Sequence, residues 1–260
     1  MTTKKTVEEA LNNYPSILTM MENLGYDKKS ITQKLNYLAM NYIVLADNDG
    51  TIRDTNHVKD ECLDDFCINI WGKTTENSEL PTSIHRRMHG RPMGEIFVAI
   101  AKECYNKEIN LSDGENITSK LNDFIRPEYM KKRVYDGAKE FYKLLKDIGC
   151  PMYILTGMEY DMVSDGLNYH NMGDIFEDIL GAPKTKEQNI KEVLQNHPGC
   201  RILAMGDAMS EYKETKAYEN TIFLAFDFEN RENRVFPAEV NILTSYGKGT
   251  WAELFKQLPV

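Results

Sequence analysis

The stretch Tyr42-Ile43-Val44-Leu45-Ala46-Asp47-Asn48-Asp49-Gly50-Thr51-Ile52-Arg53-Asp54-Thr55 constrains this chain more than any other. Its first half is a short apolar run rich in β-formers, which reads as a buried strand, and it stops abruptly at two carboxylates, a glycine and a threonine. In open α/β sheets ligands sit in the crevice at the carboxyl ends of the strands, so Asp47 and Asp49 face a site rather than bulk water. Two ordinary readings compete. Asp and Gly after a strand make a type I turn. A calcium loop is the other, and it fails on register: with Gly50 at the sixth position, the first falls on Leu45 and the twelfth on Asn56, where carboxylates are required.

The pattern of the whole chain decides between a turn and a site. Residues 1 to about 40 read as two helices: Thr6-x-x-Glu9 resembles a capping box, Val7, Ala10, Leu11 and Tyr14 keep helical spacing up to Pro15, and Ile17, Leu18, Met21 and Leu24 resume it up to Gly25. These helices pack on the core or on a partner chain, as in a homodimer; the residues leave both open. From 56 to 133 strand signals vanish. Val58, Cys62, Leu63, Phe66 and Ile70, then Ile96, Phe97, Ile100 and Ala101, then Leu121, Phe124 and Ile125 all keep helical period. After 134 helices and strands alternate: the helix face Phe141, Leu144, Leu145, Ile148; the strand 152–155 ending in Thr156-Gly157; a helix over 159–170; the run Ile179-Leu180; a helix with Ile190, Val193 and Leu194; the strand 202–205 ending in Gly206-Asp207; a helix over 209–219; strands 222–226 and 240–243; and a closing helix with Trp251, Leu254 and Phe255. Alternation of this kind predicts an α/β fold with a doubly wound parallel sheet. The division it predicts is an N-terminal helical extension over 1–40, a core over 41–55 and 134–260, and an inserted α-helical block over 56–133.

Composition narrows the partners. At 260 residues the chain can bury a full core, and its formal charge of −9 argues against a nucleic-acid binder, which needs a basic face for phosphates. A small anionic substrate stays compatible, because one local cation inverts the field at a site. Met1 to Thr6 lead into a polar helix without an apolar leader, and no run approaches the ~18 apolar residues of a membrane span, so a cytoplasmic protein is expected. The cysteines Cys62, Cys67, Cys104, Cys150 and Cys200 are scattered without Cys-x-x-Cys spacing and read as reduced thiols. His85 and His89 lie four apart, but with no third ligand nearby they read as a polar helix surface.

Three separate strands end in a polar group: Asp47, Thr156 and Asp207. In a parallel sheet these ends share one edge, and a lysine from the segment containing Lys184 and Lys186 reaches the same edge. Two carboxylates about 4 Å apart repel by roughly 4 kcal/mol at an effective dielectric of ~20, so Asp47, Asp49 and Asp207 together call for a cation, most simply Mg²⁺. A divalent ion, a hydroxyl and a lysine make a phosphoryl site.

At this point the chain resembles the haloacid dehalogenase-like hydrolases, in particular their phosphatase branch. Asp47-Asn48-Asp49-Gly50-Thr51-Ile52-Arg53-Asp54-Thr55 is similar to that family's first motif, Leu155-Thr156-Gly157 to its second, and Gly206-Asp207 with Glu211 to its fourth. The third is a lysine: Lys186, four residues before Ile190, is preferred to Lys184. The resemblance implies that Asp47 is the nucleophile forming an aspartyl-phosphate and that Asp49 is the acid and base, the residue separating phosphatases from dehalogenases. It further implies that Thr156 and Lys186 bind the phosphoryl oxygens and that Asp47, the carbonyl of Asp49 and Asp207 hold Mg²⁺. Glu211, where an aspartate is more usual, is a further ligand or a support for the ligands. The helical insertion resembles the family's cap, within which Met88-His89-Gly90-Arg91-Pro92-Met93-Gly94 resembles the segment facing substrate, with Arg91 on the leaving group. The expected activity is Mg²⁺-dependent hydrolysis of a small phosphorylated metabolite, such as a sugar phosphate or a phosphoglycolate-like compound. A sugar phosphomutase of the same fold, or a binding module without catalysis, are the alternatives.

Overall fold

Reciprocal capping starts the first helix. The computed structural model describes residues 6–74, 79–88, 91–181, 184–229 and 236–259; Met1 to Lys5, read above for a leader, lie outside them. In α1 (Val7–Leu11) the Thr6 hydroxyl accepts from the Glu9 amide, and the Glu9 carboxylate accepts from the Thr6 amide. Pro15 then opens α2 (Pro15–Glu22) at a position where a missing N–H is harmless. A third helix that the sequence pattern did not separate, α3 (Lys28–Asn41), starts from an Asp27 cap and buries Ile31, Leu35 and Leu38. Its stripe is thin because Lys34 shares that face. The three helices pack on the core: the Lys34 ammonium donates to the carbonyls of Phe255 (2.9 Å) and Leu258 (3.2 Å), and the Tyr14 hydroxyl donates to Asp147 (3.1 Å).

β1 (Tyr42–Ala46) is buried along its whole length, as a central strand with both faces covered must be. The chain then leaves for a separate unit, Thr55–Lys131, made of α4 (Val58–Trp71), α5 (Pro81–Arg87), α6 (Met93–Tyr105) and α7 (Leu111–Lys131). Its core is aromatic, with Phe66 and Trp71 against Phe97 and Tyr105. α6 and α7 cross closely where a Cβ on Gly114 would come 2.3 Å from the Gly94 carbonyl oxygen. The short α5 falls where His85 reads as part of a helix surface, although no apolar period marks it in the sequence. It carries His85, whose Nδ1 lies 2.6 Å from Asp60; Arg86 Nε donates to the other Asp60 oxygen at 2.8 Å. His89 lies outside the described residues.

The rest of the first unit alternates as expected: α8 (Ala138–Asp147), β2 (Met152–Leu155), α9 (Tyr160–Tyr169), β3 (Asp178–Leu180), α10 (Lys186–Asn196), β4 (Arg201–Gly206), α11 (Met209–Lys216), β5 (Ile222–Phe226), β6 (Ile242–Leu243) and α12 (Lys248–Gln257). β6 is shorter than the predicted 240–243. The strands form one sheet in the order β3-β2-β1-β4-β5-β6, and every pair is parallel. The chain winds outward from β1 to β3, returns, and winds outward the other way from β4, so the winding direction switches between β1 and β4. Ile43 and Leu45 of β1, Ile202 and Ala204 of β4, Phe223 of β5, and Ile190 and Val193 of α10 build a core under that switch point. Cys67, Cys104 and Cys150 are buried thiols, and burial pushes the Cys67 thiol up to about 12 and the Cys104 thiol up to about 11. No described helix is long and apolar enough to cross a membrane.

Candidate active site

Register fixes where the polar strand ends fall. Ala46 pairs with Ile154 on one side and with Met205 on the other, so Asp47 leaves β1 between the ends of β2 and β4. Its amide donates to the Met205 carbonyl at 2.9 Å, which extends the ladder one residue beyond the strand. The loop after it closes on itself. The Ile52 and Arg53 amides both donate to the Asn48 carbonyl (3.0 and 2.9 Å), and the Gly50 amide donates to the Arg53 carbonyl (2.8 Å). Gly50 has φ +74, a left-handed conformation that glycine adopts without strain. The Asn48 side-chain amide donates to Asp49 Oδ1 at 3.0 Å and so sets the orientation of that carboxylate.

Thr156 directly follows β2 and is buried. Its amide donates to the Leu180 carbonyl (3.0 Å), and its hydroxyl accepts from the Met158 amide (3.0 Å), which leaves the hydroxyl proton available to a ligand. Asp207 follows β4 and is buried. Lys186 is the first residue of α10, where Thr185 and Gln188 form a capping box. Its ammonium lies 3.5 Å from Asp47 Oδ1 and hydrogen-bonds Glu211. Lys184, one residue before the cap, instead pairs with Glu192 at the surface.

Glu211 occupies both of its oxygens within the protein. Oε2 accepts from the Ala208 amide (3.0 Å), while Oε1 accepts from the Ser210 hydroxyl (3.0 Å) and from Lys186. It lies over Gly206, where a Cβ would meet the Glu211 Cβ at 2.9 Å. Glu211 therefore holds the lysine and caps α11. Arg91 lies in the helical unit just ahead of α6, exposed, with its guanidinium 3.3 Å from Glu95. His89 and Gly90 of its segment lie outside the described residues.

The charges do not balance locally. Burial pushes the Asp47 carboxyl well above the usual range; Lys186 opposes this, and Glu211, Asp207 and Asp49 reinforce it. Burial works against the Lys186 ammonium, but Asp47 and Glu211 outweigh it and hold the lysine charged. Among the described residues no three His, Cys, Asp or Glu side chains sit close enough to hold an ion by themselves. Asp47 and Asp207, at the ends of the neighbouring strands β1 and β4, are carboxylates of the kind Mg²⁺ takes, with water completing the shell, since Mg²⁺ dehydrates reluctantly and keeps several waters. One acid escaped the sequence reading. Asp227 is buried directly after β5, and its Oδ1 accepts from the Glu229 amide at 3.3 Å. It repeats the signal used elsewhere, an apolar strand ending in a carboxylate.

Comparison with known proteins follows this geometry. A family model for haloacid dehalogenase-like hydrolase matches residues 43–213. Among solved structures, the chain is similar to a HAD hydrolase of family IA, variant 3, from Entamoeba histolytica, with TM-score 0.67 and 17% identity over 84% of this chain and 100% of the other. It is similar to CbbY from Rhodobacter sphaeroides in complex with phosphate (TM-score 0.62, 15% identity, 83% and 99% covered). The magnesium-bound form of YfnB from Bacillus subtilis shares the fold as well (TM-score 0.60, 18% identity, 85% and 99% covered). No curated protein matches the chain in sequence.

Proposed function

The chain belongs to the haloacid dehalogenase-like hydrolases, and from that premise we propose that it is a Mg²⁺-dependent phosphatase of a small phosphorylated metabolite. The observation that carries the reading is the Lys186 ammonium 3.5 Å from Asp47 at the switch point of the sheet, with Thr156 and Asp207 on the flanking strand ends. Asp47 Oδ attacks phosphorus, the P–O ester bond breaks, and the leaving oxygen takes a proton from Asp49. Asp49 then accepts a proton from water as that water attacks phosphorus, which frees Asp47 and releases inorganic phosphate. The Thr156 hydroxyl proton and the Lys186 ammonium hold the phosphoryl oxygens. Asp47, the Asp49 carbonyl and Asp207 would hold Mg²⁺, which when bound supplies the positive charge that keeps Asp47 ionised beside a phosphoryl group. Glu211 keeps Lys186 extended toward Asp47 and is not needed as a ligand.

The helical unit is assigned the choice of substrate. Every residue given a part in phosphoryl transfer lies outside Thr55–Lys131, and Arg91 offers a planar, permanently charged donor to an anionic group on the leaving group. Its present partner, an exposed Glu95 four residues on, is a pair of the kind worth little.

A panel of phosphorylated metabolites tested for phosphate release, with and without Mg²⁺, examines the reading. Turnover of a monoester that needs Mg²⁺ and disappears in Asp47→Asn supports it. Release from no member of the panel, or equal release in chelator, overturns it.

A further inference from the structure

Two buried tyrosines behind the catalytic loop have no part in the chemistry above. Tyr142 on α8 and Tyr246, in the turn before α12, lie with their hydroxyl oxygens 2.9 Å apart. The Tyr246 hydroxyl is also 3.2 Å from the Thr51 carbonyl, and the Tyr142 hydroxyl is 3.5 Å from Met205 Sδ. A carbonyl only accepts, so Tyr246 must spend its single proton on Thr51. Its oxygen then accepts from Tyr142, for which a thioether is the weaker alternative. The order is thus fixed: Tyr142 donates to Tyr246, and Tyr246 donates to Thr51. Burial pushes both phenols up, so both stay protonated and able to donate.

The surroundings hold this chain in place. The Tyr246 ring stacks on Phe226 with centroids 4.6 Å apart. Gly137, with φ +82, lets the Tyr246 backbone approach to where a Cβ would stand 2.7 Å from the Tyr246 carbonyl oxygen. On the loop side, the Thr51 hydroxyl is buried and has no hydrogen-bond partner among the described residues, so the polar anchor of Thr51 is its carbonyl. Tyr246 also lies beyond residues 43–213, the part that matches the family model.

We infer that Tyr246 is a positioning residue for the catalytic loop, fixing Asp49 relative to Asp47 through the Thr51 carbonyl. The inference rests on the reading of Asp47–Asp54 as that loop. The sequence distance explains why nothing in the loop itself points to it: the hydroxyl arrives from 195 residues away.

The test compares Tyr246→Phe with Tyr142→Phe by amide hydrogen exchange and by kinetics. Tyr246→Phe strands a buried carbonyl, so the Ile52 and Arg53 amides, which close the loop on Asn48, should lose about tenfold or more of their protection. A displaced acid or nucleophile should lower kcat by about tenfold to a hundredfold while KM stays within about twofold. Tyr142→Phe leaves the Thr51 contact intact and should change neither quantity by more than about twofold, although the removal of a buried hydroxyl bond lowers thermal stability in both variants. Unchanged exchange at Ile52 and Arg53 in Tyr246→Phe, or equal losses in the two variants tracking their stability, would overturn the inference. Should Tyr246→Phe not fold, wild-type NMR decides instead: a Tyr246 hydroxyl proton protected from solvent exchange is expected, and a rapidly exchanging one contradicts the assignment. If no phosphorylated substrate is turned over, the proposed function fails while the exchange comparison still decides this inference.

Discussion

Replacing Lys186 by methionine removes the ammonium set against Asp47 and keeps most of the side-chain volume. Unit charges 3.5 Å apart attract by roughly 5 kcal/mol at an effective dielectric of about 20. Both groups are largely buried, so the methionine leaves Asp47 and Glu211 beside each other without their cation, and stranding one side of a buried pair typically costs about 3–5 kcal/mol. In chelator at about pH 7, Lys186→Met should therefore lose about 3 kcal/mol of unfolding free energy. The sign of its pH dependence follows from Asp47. An acid whose folded pKa is raised above its unfolded value of about 4 is penalised increasingly as pH rises through the folded value, and not at all below the unfolded one. Lys186 opposes that rise, so the deficit of the variant should be largest at neutral pH and shrink toward about pH 4. Lys184→Met breaks only an exposed pair with Glu192 and should stay within about 0.5 kcal/mol of wild type. Urea unfolding followed by Trp251 fluorescence in a Trp71→Phe background reads the unit that holds the site. A Lys186→Met loss under about 1 kcal/mol, or a larger loss in Lys184→Met, would refute the reasoning.

Further outcomes follow from other contacts. Lys34→Met deletes a charged donor to the Phe255 and Leu258 carbonyls and should cost about 2–3 kcal/mol in the same urea assay; a loss below about 0.5 kcal/mol would mean that these bonds do not tie the N-terminal helices to α12. Arg91→Ala should raise KM for the anionic natural substrate while sparing acetyl phosphate, and equal losses on both in steady-state kinetics would remove Arg91 from substrate selection. Gly206→Ala places a Cβ 2.9 Å from the Glu211 Cβ, so it should displace Glu211 and lower kcat by about tenfold; a fully active variant would show that the Glu211 to Lys186 contact is dispensable.

The sheet and its polar edge were legible because each strand announces itself by an apolar run that stops at a polar residue, and parallel winding brings such stops to one edge. The sequence leaves Lys184 and Lys186 as near neighbours of equal charge. What separates them in space is Thr185: its capping box makes Lys186 the first residue of α10, pointed toward Asp47, and leaves Lys184 outside the helix near Glu192. α3 was hidden because Lys34 interrupts its apolar stripe, and a lysine reads as surface until the carbonyls of Phe255 and Leu258, more than 200 residues on, receive it. Tyr246 was illegible for the same reason. A buried tyrosine looks like any other core aromatic, and only the fold shows which carbonyl its hydroxyl meets. Glu211 kept two roles open in the sequence, and its contacts with Ala208, Ser210 and Lys186 favour the supporting one.

The central claim is that Asp47 carries the phosphoryl group. An acid quench during turnover of a substrate found in the metabolite panel, followed by borohydride reduction, converts an aspartyl-phosphate into homoserine, and peptide mass spectrometry locates it. The account predicts homoserine at position 47, dependent on substrate and absent when the substrate is omitted. Homoserine at another aspartate, or none at position 47 while phosphate release proceeds and the quench captures the steady state, would contradict it.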